Sequence, residues 1–153
     1  MDPYDTQAVQ AVWERVRLSH EQLLCSLMAE EAQEQDFFHR LGRQRGPMQQ
    51  AFLSISAQER QHLLKLRELY RNTFGTEATV DPLPPLKYGN LSQGLWAQRE
   101  RALTRAKSYQ KAAAHFSAAG ELFLSLSREE DLLAQRLQTL WQRQRPPHRA
   151  YRP

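Results

Sequence analysis

The chain has a single cysteine, Cys25, among 153 residues, which excludes an intrachain disulfide and any Cys-x-x-Cys metal knuckle. A reducing compartment is the matching expectation. No apolar run approaches the ~20 residues that a membrane span requires. The opening Met-Asp-Pro-Tyr-Asp lacks the basic-then-apolar plan of a secretory signal, so a cytoplasmic location without membrane contact is expected. Glycine and proline number six and eight and fall mostly between periodic segments, which argues against disorder. Excess charge is modest, +4, and much of it sits in the tail Arg143-Gln-Arg-Pro-Pro-His-Arg-Ala-Tyr-Arg-Pro153. Such a tail is expected to be a solvated end, with nucleic acid not expected as a partner. Strand signals are lacking.

What the chain has instead is helical periodicity, and one stretch of it occurs twice. Phe52-Leu-Ser-Ile-Ser-Ala-Gln-Glu59-Arg-Gln-His62 aligns without a gap with Phe123-Leu-Ser-Leu-Ser-Arg-Glu-Glu130-Asp-Leu-Leu133. The match continues to Tyr70 in one copy and Trp141 in the other, so an internal duplication is indicated. One copy carries Glu-x-x-His and the other Glu-x-x-Leu.

Taken in order, Asp5 or Thr6 caps a short N-terminal helix over 1–18, whose Val9, Val12, Trp13 and Val16 are expected to pack as a lid. Ser19-His-Glu-Gln22 reads as a capping box that starts a new helix, stopped near Leu41 by Gly42. Gly46-Pro47 turns the chain into an antiparallel helix from about Met48 to Phe74, completing a first hairpin over 19–74. Residues 75–90 hold Pro82, Pro84, Pro85 and Gly89 without periodicity and read as an extended crossover. A second hairpin follows over 91–145, its first helix capped by Ser92 and ending near Gly120, and 146–153 form the basic tail. The expectation is one domain over 1–153, all-α, in which two one-sided hairpins bury their stripes against each other as a four-helix bundle.

Four polar residues interrupt those stripes. At 100° per residue Glu31 stands within about 60° of Leu24, Leu27, Met28 and Phe38, and Glu59, His62 and Glu130 lie mid-stripe in their own helices. A buried carboxylate needs a partner. Residues three apart share a helix face, so Glu59 and His62 can reach one ion, and a mixed carboxylate and imidazole set suits iron, manganese or zinc.

Glu31 seven residues before Phe38, followed by Glu59-x-x-His62 and its repeat at Glu130, resembles the ferritin-like, rubrerythrin-type superfamily of di-iron carboxylate bundles. The resemblance covers roughly 19–145 and implies a ferritin-like bundle with a long crossover. It also implies iron handling or an oxidative-stress role, with Glu31, Glu59, His62 and Glu130 as metal ligands. Two positions depart from the family: Ala102 stands where a Glu is expected and Leu133 replaces the second His. Glu100 lies about 200° from that face and is no substitute. At most one ion is therefore expected, iron or else manganese or zinc, without peroxidase or ferroxidase turnover. The competing reading is a metal-free, catalytically silent bundle that serves as a binding or scaffolding module and satisfies the four residues by mutual hydrogen bonds. A homodimer is the protein partner compatible with either.

The remaining candidates carry less. Arg99 and Arg105, each about 60° from Ala102, are expected outward and solvated, although either could lean inward to replace a missing ion's charge. His39 and His115 are expected to face solvent. Ser54, Ser56, Ser125 and Ser127 lack any nucleophile elbow and suit close helix packing. Trp13, Trp96 and Trp141 read as core or interface anchors, and Cys25 as a packed stem.

Overall fold

A computed structural model describes residues 5–144; the expected basic tail at 146–153 lies outside them. Four helices carry the chain: α1 Thr6–Gly42, α2 Gln49–Phe74, α3 Leu91–His115 and α4 Gly120–Gln144, with a 3-10 turn at Ser117–Ala119 before α4. There is no strand among the described residues, and none of these helices is long and apolar enough to cross a membrane. α1 packs against α2, and α3 against α4.

The ends of the helices follow local chemistry. Asp5 accepts a hydrogen bond from the Gln7 backbone N–H at 3.0 Å and starts α1. The expected break at Ser19 does not occur, and α1 runs unbroken from Thr6. No Gly or Pro lies between Thr6 and Leu41, so nothing removes a backbone bond, and a Ser-x-x-Gln pattern alone does not end a helix that can continue. The N-terminal segment is not a lid either: Val9, Val12, Trp13 and Val16 are 40–68% exposed. At 1.5 Å per residue α1 is about 55 Å long against roughly 38 Å for the others, so its first turns overhang the bundle.

Gly75 ends α2 in the left-handed region, φ 74°, which a side chain would strain. Asn90, rather than Ser92, caps α3 by accepting from the Gln93 N–H at 2.8 Å. α3 ends at His115 rather than near Gly120. Between α2 and α3 the chain lies along α1: Cys25 Sγ reaches the Thr79 carbonyl at 3.9 Å, Gln33 donates to the Pro84 carbonyl at 2.7 Å, and Arg40 to that of Leu86 at 3.0 Å. Gly94 lets Tyr88 close on α3, since a Cβ there would meet the Tyr88 ring at 3.1 Å.

The core is divided. One apolar cluster gathers Leu24 and Met28 of α1, Leu63, Leu66 and Tyr70 of α2, Tyr109 of α3, and Phe123 and Leu126 of α4. The other gathers Phe37, Phe38, Phe52, Ile55, Leu95, Ala102, Leu133 and Leu137. Each large side chain so buried contributes about 1.5–3 kcal/mol relative to exposure. Between the two clusters, in sequence position on every helix, lies a layer of buried charge. The duplication is visible in the bonds that flank this layer: Ser56 donates to the Gln35 carbonyl at 3.0 Å and Ser127 to that of Ala106 at 2.8 Å, each spanning 21 residues. The two hairpins thus correspond at an offset of 71 residues, which pairs Glu59 with Glu130, His62 with Leu133, and Glu34 with Arg105.

Candidate metal centre

The charged layer is built from Glu31 and Glu34 on α1, Glu59 and His62 on α2, Arg105 on α3 and Glu130 on α4, all at most 2% exposed. Glu31, Glu59, His62 and Glu130 each offer one ligand atom, and these atoms lie within 4.8 Å of one another. His62 turns Nδ1 towards the cluster, 3.2 Å from Glu130, 3.7 Å from Glu31 and 3.9 Å from Glu59. Its Nε2 faces outward to the half-exposed Glu129 at 2.5 Å. The sequence reading missed Glu129, which follows from its place about 100° off the α4 stripe.

Arg105 is the main correction. Expected outward, its guanidinium lies inside the layer, 3.0 Å from both Glu34 and Glu130, 3.8 Å from Glu31 and 3.9 Å from Glu59. Arg99 stays out of the layer but is only partly exposed, held against Trp96, Gln138 and Glu100. Glu34, also missed, takes Arg101 at 2.6 Å on the same oxygen that meets Arg105. Its signal was the spacing itself, because Glu31-x-x-Glu34 repeats the one-face geometry of Glu59-x-x-His62. Tyr109 donates its hydroxyl to Glu31 at 2.5 Å. Glu100 is exposed, as its angle required, and Ala102 and Leu133 sit among apolar neighbours.

Four fully buried carboxylates face two buried cations, with Arg101 supplying a third positive charge from the rim. The balance falls on Glu59. No side chain donates a hydrogen bond to either of its oxygens, and its distances to His62 and Arg105 are too long for bonds, so the bond open to it is the one its own proton can make to Glu31. Burial, then the Glu31 charge beside it, raise the Glu59 pKa well above the carboxylate range. Burial would raise Glu31 too, but the proton Glu59 can give it and the charges of His62 and Arg105 hold it down to about 2. Burial likewise works against a charged His62, yet its hydrogen bond to Glu130 and the close Glu31 carboxylate raise its pKa to about 10. These opposite shifts favour the proton on Glu59 over Glu31, and a charged imidazole at His62.

The donor set fits a transition-metal ion. Glu59 is an orphaned carboxylate aimed at three further donors, and Nδ1 would become a ligand on losing its proton. His39 and His115 are exposed at helix ends, away from the layer. Ser56 and Ser127 pack helix to helix, Trp96 and Trp141 touch with ring centroids 4.9 Å apart, and Trp13 lies outside the core, being 68% exposed. Burial raises the Cys25 thiol, which gives it no reactive character. No protein-family model, curated protein or solved structure matches this chain, so what the site can do rests on its own chemistry.

Proposed function

We propose that this is a metal-binding helical bundle of the ferritin-like, rubrerythrin-related kind, holding at most one ion through Glu31, Glu59, His62 and Glu130 in an iron-handling or oxidative-stress context. The observation that carries the reading is the Glu59 carboxylate, fully buried with no side chain donating to either oxygen while three other ligand atoms stand within 4.8 Å. An ionised carboxylate in that position needs a cation. The charges also fit. A divalent ion would displace one proton from Glu59 and one from His62, leaving the net charge of the layer unchanged. Support for the ferritin-like topology comes from the segment 75–90 lying along α1 and from the 71-residue correspondence of the hairpins.

One ion and an arginine make a site suited to binding or positioning rather than to paired-metal redox chemistry. The second reading, a silent scaffold, is favoured by a separate observation: Arg105, Tyr109 and His62 already give hydrogen bonds or close ion pairs to Glu31, Glu34 and Glu130. Titration of chelator-treated protein with Fe²⁺ without oxygen, Mn²⁺ and Zn²⁺ separates the two. The proposal expects one ion per chain and a raised Tm, about 2.7 kcal/mol of stabilisation at a hundredfold excess over Kd. It also expects His62→Leu to lose most of the affinity. No uptake and an unmoved Tm with all three ions would leave the scaffold reading.

A further inference from the structure

The geometry points to Arg105 as a built-in cation that holds a second ion-binding position closed. This rests on the single-ion reading for the other half of the layer. The guanidinium stands among carboxylate oxygens of four residues from three helices: Glu34 and Glu130 at 3.0 Å, Glu31 at 3.8 Å and Glu59 at 3.9 Å. It serves them incompletely. Its own Nε has no hydrogen-bond partner, nor do the second oxygens of Glu31 and Glu34, all of them buried. A planar fork satisfies two carboxylates along its edges, whereas a divalent ion could draw oxygens to about 2.0–2.6 Å from several directions.

The duplication sets what surrounds the arginine. Glu34 and Arg105 are equivalent positions in the two hairpins, and they meet each other across the layer at 3.0 Å. On the Arg105 side the positions equivalent to Glu31 and His62 are Ala102 and Leu133, both within an apolar cluster. An ion taking the guanidinium's place would therefore have oxygen ligands only, from Glu34, Glu130, Glu31 and Glu59. Such a set suits a hard cation such as Mn²⁺ and lacks the nitrogen that favours Zn²⁺. A hollow of about 170 Å³ lined by Glu30, Glu100, Arg101, Thr104 and Arg105 brings the outside to this residue.

Truncation by Arg105→Ala removes the charge and leaves room, so Mn²⁺ bound after equilibrium dialysis is expected to rise from one to two per chain. Arg105→Lys keeps a positive charge there and is expected to stay at one. In the Arg105→Ala background, Glu34→Gln should return the count to one, because Glu34 belongs to the second position and not to the first. Arg105→Ala remaining at one, while helical by circular dichroism, overturns the inference and leaves the single-ion reading intact. Wild type at zero, with Arg105→Ala gaining one ion that Glu34→Gln removes, defeats the single-ion reading and leaves this inference standing. Should Arg105→Ala be unfolded without metal, excess Mn²⁺ is expected to restore its helicity. A chain that stays unfolded in excess Mn²⁺ while Arg105→Lys folds would also count against the inference, since a second cation ought to replace the lost charge.

Discussion

Replacing Glu59 by Gln tests whether the centre is strained towards a cation. This carboxylate is fully buried, and no side chain donates to either oxygen. Its folded pKa is raised, first by burial and then by Glu31, above the ~4.3 of an unfolded chain. Folded protein therefore holds the proton longer than unfolded protein, so the group does no harm below about pH 4 and lowers stability as pH rises through the raised pKa. Gln removes that titration, and its amide can donate to the unpartnered Oε2 of Glu31. An unsatisfied buried group costs about 1–3 kcal/mol. At about 2–4 °C per kcal/mol for a chain of this size, Glu59→Gln is expected to raise Tm in chelator by about 3–8 °C near neutral pH. The gain should shrink towards pH 4, where the wild-type proton is in place. The same variant should bind metal at least tenfold more weakly. Thermal unfolding by circular dichroism at several pH values decides the matter: a variant clearly less stable than wild type at neutral pH in chelator would show that an ionised Glu59 is satisfied by a donor, and the reasoning fails.

Glu130→Gln should behave in the opposite way, losing about 2–4 kcal/mol in urea unfolding, because Glu130 carries Arg105 at 3.0 Å and His62 at 3.2 Å; a neutral result would mean those pairs contribute nothing. His62, raised to about 10, lends stability that is fully present below its unfolded pKa of ~6.5 and lost as pH rises through about 10. Metal-free protein should therefore weaken on going alkaline, and His62→Leu should flatten that slope; an unchanged slope in the variant would exclude His62 as its source. Ion uptake should release protons, read as a dependence of calorimetric heat on buffer ionisation, and heats independent of buffer would contradict the exchange. Tyr109→Phe removes a hydroxyl bound to Glu31 at 2.5 Å and should cost about 1–3 kcal/mol, measured by denaturant midpoint, with no loss if the bond is idle. Trp13→Gln should change stability by no more than about 0.5 kcal/mol, and a larger loss would mean that the overhang of α1 is packed after all.

Periodicity fixes the angle of a side chain around its helix, so Glu31, Glu59, His62 and Glu130 were assigned to buried stripes, and all four are buried in one layer. The same arithmetic put Glu100 outside. Helix ends were harder at Ser19 and Ser92, since a residue able to cap does so only where the backbone actually stops, and Asp5 and Asn90 did that work. Glu129 carries no periodic signal at all; it reaches His62 because a half-exposed side chain at the edge of α4 meets a ring presented by α2.

The sequence alone determined the helical class, the repeat and the faces that turn inward, because these depend on a spacing of 3.6 residues that the chain carries within each helix. Tertiary structure decided the charge pattern. Arg105 lies about 60° off the centre of its stripe, where a long side chain can turn either to water or to the core. Burying a guanidinium costs several kcal/mol unless carboxylates meet it. Those carboxylates come from α1, α2 and α4, so only the assembled bundle could turn Arg105 inward.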